Sequence, residues 1–282
     1  MNEATTNQPE DHTTSSAFHA APCSLFLGDC LEVMATLPDK SVDAIITDLP
    51  YGTTACKWDA VIPFAPMWEQ VRRVLKPNGV FVTTASQPFT TTLIASNLDS
   101  FKYCWVWEKN TASGIASAKY RPMKYHEDVV VFAYGKTTYN PEMIKRTEGS
   151  AKRLRYELIT GGKSDHLSLP QTRVMRNPNE KNPSSVLNIN TEPNSLGKLH
   201  PTQKPLELMR YMVRTYTNPG DVVLDPCMGS GTTCLAAKLE GRGYIGIERE
   251  PKYFETAKTR IEGDADLFSA NAKHELPPSE AN

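Results

Sequence analysis

Short apolar runs rich in branched residues recur along this chain, and stretches with apolar residues at helical spacing lie between them. The runs "SLFLGD" (24–29), "VDAIITD" (42–48), "VFVTTAS" (80–86), "DVVLD" (221–225) and "GYIGIE" (243–248) read as strands. Between them "CLEVMATLP", "FAPMWEQVRRVLKPNG", "KPLELMRYMVRTYT" and "GTTCLAAKLEG" read as helices, the second expected to run to its stop at Pro77-Asn78-Gly79. The alternation confines the chain to the α/β class, a Rossmann-like, mostly parallel twisted sheet with crossover helices. "FTTTLIASNLDSF" reads as one more helix, and "YCWVWEK" and "EDVVVFAYG" as two more strands.

Residues 140–198 lose this periodicity and fill with Pro, Asn, Gly and basic side chains, so a loop-rich insertion is expected there. The expected layout is a flexible tail over 1–22, one half of the domain over 23–135, and a basic insertion over 136–199. The second half follows over 200–265, with a flexible tail over 266–282. Net charge is −1 over 282 residues, yet 136–204 carries twelve Lys and Arg against six acids, leaving that stretch at +6 and the remainder at −7. A basic segment on an acidic body is an electrostatic footprint of a polyanion partner, with a solvated loop as the alternative.

The chain has no apolar run near the roughly 20 residues of a membrane helix, and its start lacks a secretory signal's basic and apolar blocks. A cytoplasmic protein with no membrane partner is the expectation. Six scattered cysteines without a C-x-x-C pair argue for reduced thiols and against a zinc site. No carboxylate cluster of the magnesium type stands out, so no metal is expected.

"DPCMGSGTT" (225–233) sits between a strand and a helix, at the carboxyl edge where open α/β sheets bind ligands. No lysine follows its glycines, so it is not a triphosphate loop, and Cys234 stands where a dinucleotide fingerprint needs a third glycine. Glu248, at the tip of the next strand, suits a ribose diol, and Asp225 suits a cationic ligand end. S-adenosylmethionine, a nucleoside carrying an amino acid and a positive sulfur, satisfies both. Two ordinary strand-end acids remain the alternative at this point.

Five segments, in order, resemble the β class of amino-group DNA methyltransferases, the permuted arrangement in which the catalytic motif precedes the cofactor motif. "TDLPYG" resembles the family's D-P-P-Y signature, "HPTQKPLELM" its helical cofactor motif, and "LDPCMGSGTT" its glycine turn. "GIERE" resembles its ribose-binding stretch and "GDCLEVM" the stretch that touches the cofactor's adenine; the match spans roughly residues 24–262. The resemblance implies a catalytic Asp48, Leu49, Pro50 and Tyr51. It implies S-adenosylmethionine held by Asp29, Cys30, Thr202, Lys204, Asp225, Pro226, Gly229, Ser230, Gly231, Thr232, Glu248 and Arg249, with Thr202 and Lys204 beside the methionine end. Asp48 and the Leu49 carbonyl would hold the hydrogens of an extruded base's amino group, and Tyr51 would stack on that base. The family usually carries proline where Leu49 stands; only that residue's carbonyl is used, but the turn should be looser.

Asp at position 48 resembles the adenine-N6 enzymes, with cytosine-N4 transfer as the alternative. RNA or protein methylation, or a non-catalytic nucleic-acid-binding relic of the fold, are weaker readings. The implied partner is double-stranded DNA, in a restriction-modification setting, and relatives' habits suggest a homodimer. Candidate DNA contacts are Lys57, Lys119, Arg121, Lys124, Lys152, Arg153 and Arg155; Lys57-Trp58-Asp59 is also placed to close over the base, unless Trp58 is core packing.

Overall fold

A computed structural model describes residues 22–53, 59–154, 179–192 and 203–263. Lys57, Arg155 and Thr202 lie outside the described residues, as do both expected tails apart from Pro22. In chain order the elements begin with β1 (Cys23–Leu27), α1 (Cys30–Thr36), β2 (Val42–Asp48), α2 (Phe64–Val74), β3 (Leu75–Ala85) and α3 (Phe89–Ser96). Next come β4 (Phe101–Ser113), β5 (Lys124–Ala133), β6 (Ile144–Lys145), α4 (Glu148–Leu154), β7 (Glu180–Lys181) and β8 (Val186–Asn188). The chain closes with α5 (Leu206–Tyr216), β9 (Val222–Asp225), α6 (Thr232–Leu239), β10 (Gly243–Glu248) and α7 (Pro251–Glu262).

Among the described residues eight strands form one sheet, in the order β1-β10-β9-β2-β3-β5-β4-β8. Neighbours from β1 to β3 run parallel, β5 is antiparallel to both β3 and β4, and β8 is parallel to β4. The path β9–α6–β10 leads one way across the sheet and β2–α2–β3 the other. Right-handed crossovers therefore put the two helices on opposite faces. Accordingly α5, α6 and α7 bury Met212, Leu235 and Ile261 on one face, while α1, α2 and α3 bury Met34, Val71 and Leu93 on the other. Strand residues alternate between these cores: Ile46 and Val223 join the first, Ile45 and Leu224 the second. Each such side chain stabilises the fold by about 1.5–3 kcal/mol. The reversal of winding direction falls between β2 and β9, and a crevice at the strands' carboxyl ends is the consequence.

Three features differ from the sequence expectation. Helix α2 stops at Val74, not at the Pro77-Asn78-Gly79 turn, because Pro77 disfavours helical geometry at Lys76 and offers no N–H. Residues 76–79 form a bulge, over which the β2–β3 register jumps from Val42↔Leu75 to Ala44↔Val80. The helix expected over 89–101 ends at Ser96, and a short 3₁₀ turn, Leu98–Ser100, leads into β4. Within the expected insertion, β6 and β7 pair as a small ribbon, while β8 joins the main sheet and buries Leu187.

Candidate active site

The tips of β2 and β9 are stitched together. Parallel pairing of Ala44 with Val223 and Ile45 with Leu224 brings both strands to the same carboxyl edge. There the Thr47 hydroxyl donates to Asp225 Oδ1 at 2.7 Å, across 178 residues of sequence. Both tips open into one cavity of about 430 Å³, within the usual range for small-molecule sites.

On the β2 side the Asp48 carboxylate accepts from the Tyr51 phenol at 2.8 Å, the Thr84 hydroxyl, and the Lys204 ammonium at 2.7 Å. Tyr51 stacks on Phe89, with ring centroids 5.2 Å apart, and the Lys204 ammonium lies 5.4 Å from its ring centre. Burial, and then the charges of Asp48 and Glu127, push the Tyr51 phenol well above its usual range, so it stays a hydrogen-bond donor. Leu49 is 4% exposed and joins the core under α1 and α2. Its buried side chain anchors the turn where the family's proline would stiffen it. The following loop is clamped by Asp59, whose carboxylate accepts from Gly52 N–H and Thr53 N–H, each at 2.9 Å. Gly52 has φ +68°, and a Cβ there would lie 2.8 Å from Val61 Cγ2, so a side chain is excluded twice over.

On the β9 side Asp225 is 3% exposed. Burial pushes its carboxyl up to about 6, against the hydrogen bonds from Thr47, Thr233 and the Cys227 N–H. Glu248 is fixed by Gly229 N–H at 2.9 Å and Glu250 N–H at 2.8 Å, and burial raises its carboxyl despite them. Asp29 caps α1, its Oδ1 accepting from Leu31 N–H at 2.8 Å and Glu32 N–H at 3.4 Å, and it also lines the cavity. Cys30 lines the cavity beside Cys227, whose thiol holds that of Cys30 below its usual range. Pro226, Gly229, Ser230 and Thr232 line the glycine turn's side of the cavity. Arg249 reaches the rim with a half-exposed side chain, 3.7 Å from Glu250.

Gly231 does something else. With φ +76°, it starts α6, and a Cβ there would lie 2.8 Å from Ile261 Cδ1, so the close approach it permits is that of α7. Arg260 of that helix supports the turn from below through Ser230 O and Thr232 Oγ1.

The set of donors and acceptors fits S-adenosylmethionine. Asp225 offers the cavity a buried carboxyl able to pair with a cation, and Glu248 a fixed carboxylate able to accept from hydroxyls. Lys204, expected at the methionine end, lines this cavity and donates to the Asp48 carboxylate. Burial opposes its charge, but Asp48 and Glu127 outweigh that and hold its ammonium above the ordinary lysine range.

Of the expected DNA contacts, Lys119 and Arg121 are exposed in the β4–β5 turn. Lys124 is partly buried against the Ser86 hydroxyl, and burial lowers its ammonium's pKa. Lys152 and Arg153 fall on α4, and their side chains lie outside the described residues. The sequence reading missed Thr47, Thr84, Trp107, Lys109, Glu127 and Glu192; all but Thr47 and Thr84 line the cavity. The only sequence signal was charge amid apolar strands: Lys109 ends "YCWVWEK" and Glu127 begins "EDVVVFAYG". Among the described residues no group of three or more His, Cys, Asp or Glu is placed to hold a metal, and no helix is long and apolar enough to cross a membrane.

Residues 42–259, which carry both strand tips and all of the cavity lining except Gly28, Asp29 and Cys30, match the DNA methylase family of the N6 and N4 type. The chain belongs to this family. The Type II methyltransferase M.HpaI of Haemophilus parainfluenzae is 30% identical over 263 residues, covering 87% of this chain and 76% of that protein. M1.MboII of Moraxella bovis, also a Type II methyltransferase, is 26% identical over 251 residues, covering 81% and 92%. Among solved structures, an M1.HpyAVI–SAM complex superposes with a TM-score of 0.54 at 23% identity, covering 85% of this N6/N4 methylase and 99% of that chain. The cytosine-N4-specific PvuII DNA methyltransferase does so at 0.60 and 19%, covering 89% and 91%. These two likenesses are likenesses of fold.

Proposed function

We propose that this N6/N4 methylase transfers a methyl group from S-adenosylmethionine to N6 of adenine in double-stranded DNA, with the target base turned out of the helix into the cavity. The observation that supports the reading is that Asp48 and Asp225 line one cavity, with Thr47 beside the first bonded to the second. When bound, the cofactor supplies an electrophilic methyl group on a sulfonium whose sulfur keeps the bonding pair and leaves as a neutral thioether. Glu248 would hold the ribose hydroxyls and Asp225 the cationic amino acid end. The nitrogen lone pair of an exocyclic amine is delocalised into its ring, so the amine attacks only when its hydrogens are held. Asp48 accepts one N–H and the Leu49 carbonyl the other, which favours a pyramidal nitrogen and stabilises the positive charge developing on it. Tyr51 stacks on the base and offsets part of the unstacking cost of a few kcal/mol. The methylated amine then gives its surplus proton to the Asp48 carboxylate and on to water.

Support for adenine over cytosine comes from the carboxylate at position 48, in a D-L-P-Y segment resembling the adenine enzymes. Expression in a methylation-deficient host, followed by modified-base sequencing and nucleoside mass spectrometry of its DNA, tests this. N6-methyladenine at one short sequence is expected; N4-methylcytosine would overturn the choice of base, and unmodified DNA the whole reading.

A further inference from the structure

Asp48 is occupied before any substrate arrives. Its Oδ1 accepts from Tyr51 and Thr84, and its Oδ2 from the Lys204 ammonium at 2.7 Å. Lys204 is 8% exposed and enters from the segment just before α5. This arrangement opposes the chemistry read above. The attacking nitrogen gains positive charge, and an ammonium on the same carboxylate competes for the negative charge that should stabilise it.

A second place for the ammonium lies close by. Glu127 Oε2 is 3.6 Å from the same Nζ, beyond hydrogen-bond reach, and among the described residues it is a buried oxygen without a hydrogen-bond donor. Its sister oxygen Oε1 is held by Lys109 at 2.9 Å. Glu127 stands opposite Trp107 in the β4–β5 ladder, and Lys109 lies two residues further along β4. Two paired strands thus fix the empty oxygen, whereas Lys204 approaches on four rotatable bonds. A movement of Nζ by about 1 Å would make the Glu127 contact a hydrogen bond of ordinary length and free Asp48 Oδ2. Buried acceptors are rarely left unpaired in a folded protein, so a closer approach of the ammonium to Oε2 is favoured.

We infer that Lys204 is a gate cation and Glu127 its receiving site: as the target base brings its amino group to Asp48 Oδ2, the ammonium passes from Asp48 to Glu127. This rests on the amino-group methylation proposed above. Glu127 is then a positioning residue that acts through Lys204, and the charge in the cavity is conserved because the lysine exchanges one carboxylate for another. The gate also keeps the catalytic carboxylate paired while no base is present.

The test is a double-mutant cycle on the full chain, with unmethylated plasmid DNA from a methylation-deficient host and radiolabelled cofactor. Glu127→Gln keeps the shape but removes the charge that draws the lysine away. It should lower kcat at least tenfold while cofactor affinity by calorimetry moves less than twofold. In a Lys204→Met background the same substitution should change kcat less than twofold. Equal losses in the two backgrounds would show that Glu127 acts independently of Lys204 and would overturn the gate. Should Glu127→Gln alone melt below the assay temperature, Lys204→Met and the double variant decide: equal kcat supports the gate, and a further drop overturns it. A parent protein that methylates no DNA overturns the underlying reading, and the gate with it; additive losses in an active parent overturn the gate alone.

Discussion

Replacing Asp225 with Asn should make the cofactor-free protein more stable while weakening its hold on the cofactor. The Asp225 carboxyl is 3% exposed and is pushed from its ordinary 3.8 up to about 6, first by burial and further by the charge of Asp48. That rise corresponds to about 3 kcal/mol by which the ionised folded state is disfavoured relative to the unfolded chain. The sign follows from proton binding: the folded protein holds this proton more tightly than the unfolded chain does. The penalty is therefore full above about pH 6 and disappears as the pH falls towards 4. Asn keeps Oδ1 for both the Thr47 hydroxyl and the Cys227 N–H but turns the other carboxylate oxygen into a buried amide NH2 in need of an acceptor, which costs about 1 kcal/mol. A net gain of about 1–2 kcal/mol at pH 7.5 remains, or a rise in Tm of about 2–8 °C for a domain of this size. Calorimetric unfolding of parent and variant without cofactor, at pH 7.5 and pH 4.5, measures it. A variant no more stable than the parent at pH 7.5, or a gain that persists undiminished at pH 4.5, would refute the reasoning. In parallel, titration calorimetry should show cofactor affinity reduced at least tenfold, since the strain in the free site is what a cationic ligand relieves.

Asp48→Ala should reduce kcat by at least about 10³-fold while the cofactor dissociation constant stays within a few fold, measured by methyl incorporation and calorimetry. A methyl group at Gly246 would lie 2.8 Å from Cys234 Sγ and 2.9 Å from Leu25 Cδ2, and would also collide with Met228 Sδ. Gly246→Ala is therefore expected to destabilise the fold by about 1–3 kcal/mol in denaturant unfolding. Lys119→Ala and Arg121→Ala should each flatten the slope of log affinity against log salt on duplex DNA by about 1, read by fluorescence anisotropy in a salt series. Unchanged slopes would remove that turn from the DNA interface.

The sheet was legible because β2, β9 and β10 are buried on both faces and so appear as unbroken apolar runs. Their terminal acids were legible because a carboxylate closing such a run is out of keeping with its neighbours. Helix ends were less so: Pro77 displaced the end of α2 by acting on the residue before it, an effect that competes with the apolar spacing of "VRRVL". At Gly231 the room is needed by α7, and a glycine-rich string does not say which neighbour needs the room. Lys109 and Glu127 were hidden for a different reason. Their meaning lies in the β4–β5 register, which places them beside Lys204 from a distant part of the chain, and periodicity within a strand carries no information about its partners.

The strand order also governs when the protein can work during its own synthesis. Among the described residues β1 has β10 as its sole neighbour in the sheet, and β2 lacks one flank until β9 is made. A nascent chain emerging from the ribosome therefore carries its first strand unpaired until residue 248 has been added. The acid at position 48 is present early yet has no cofactor floor to face, so methylation begins only with a nearly finished domain.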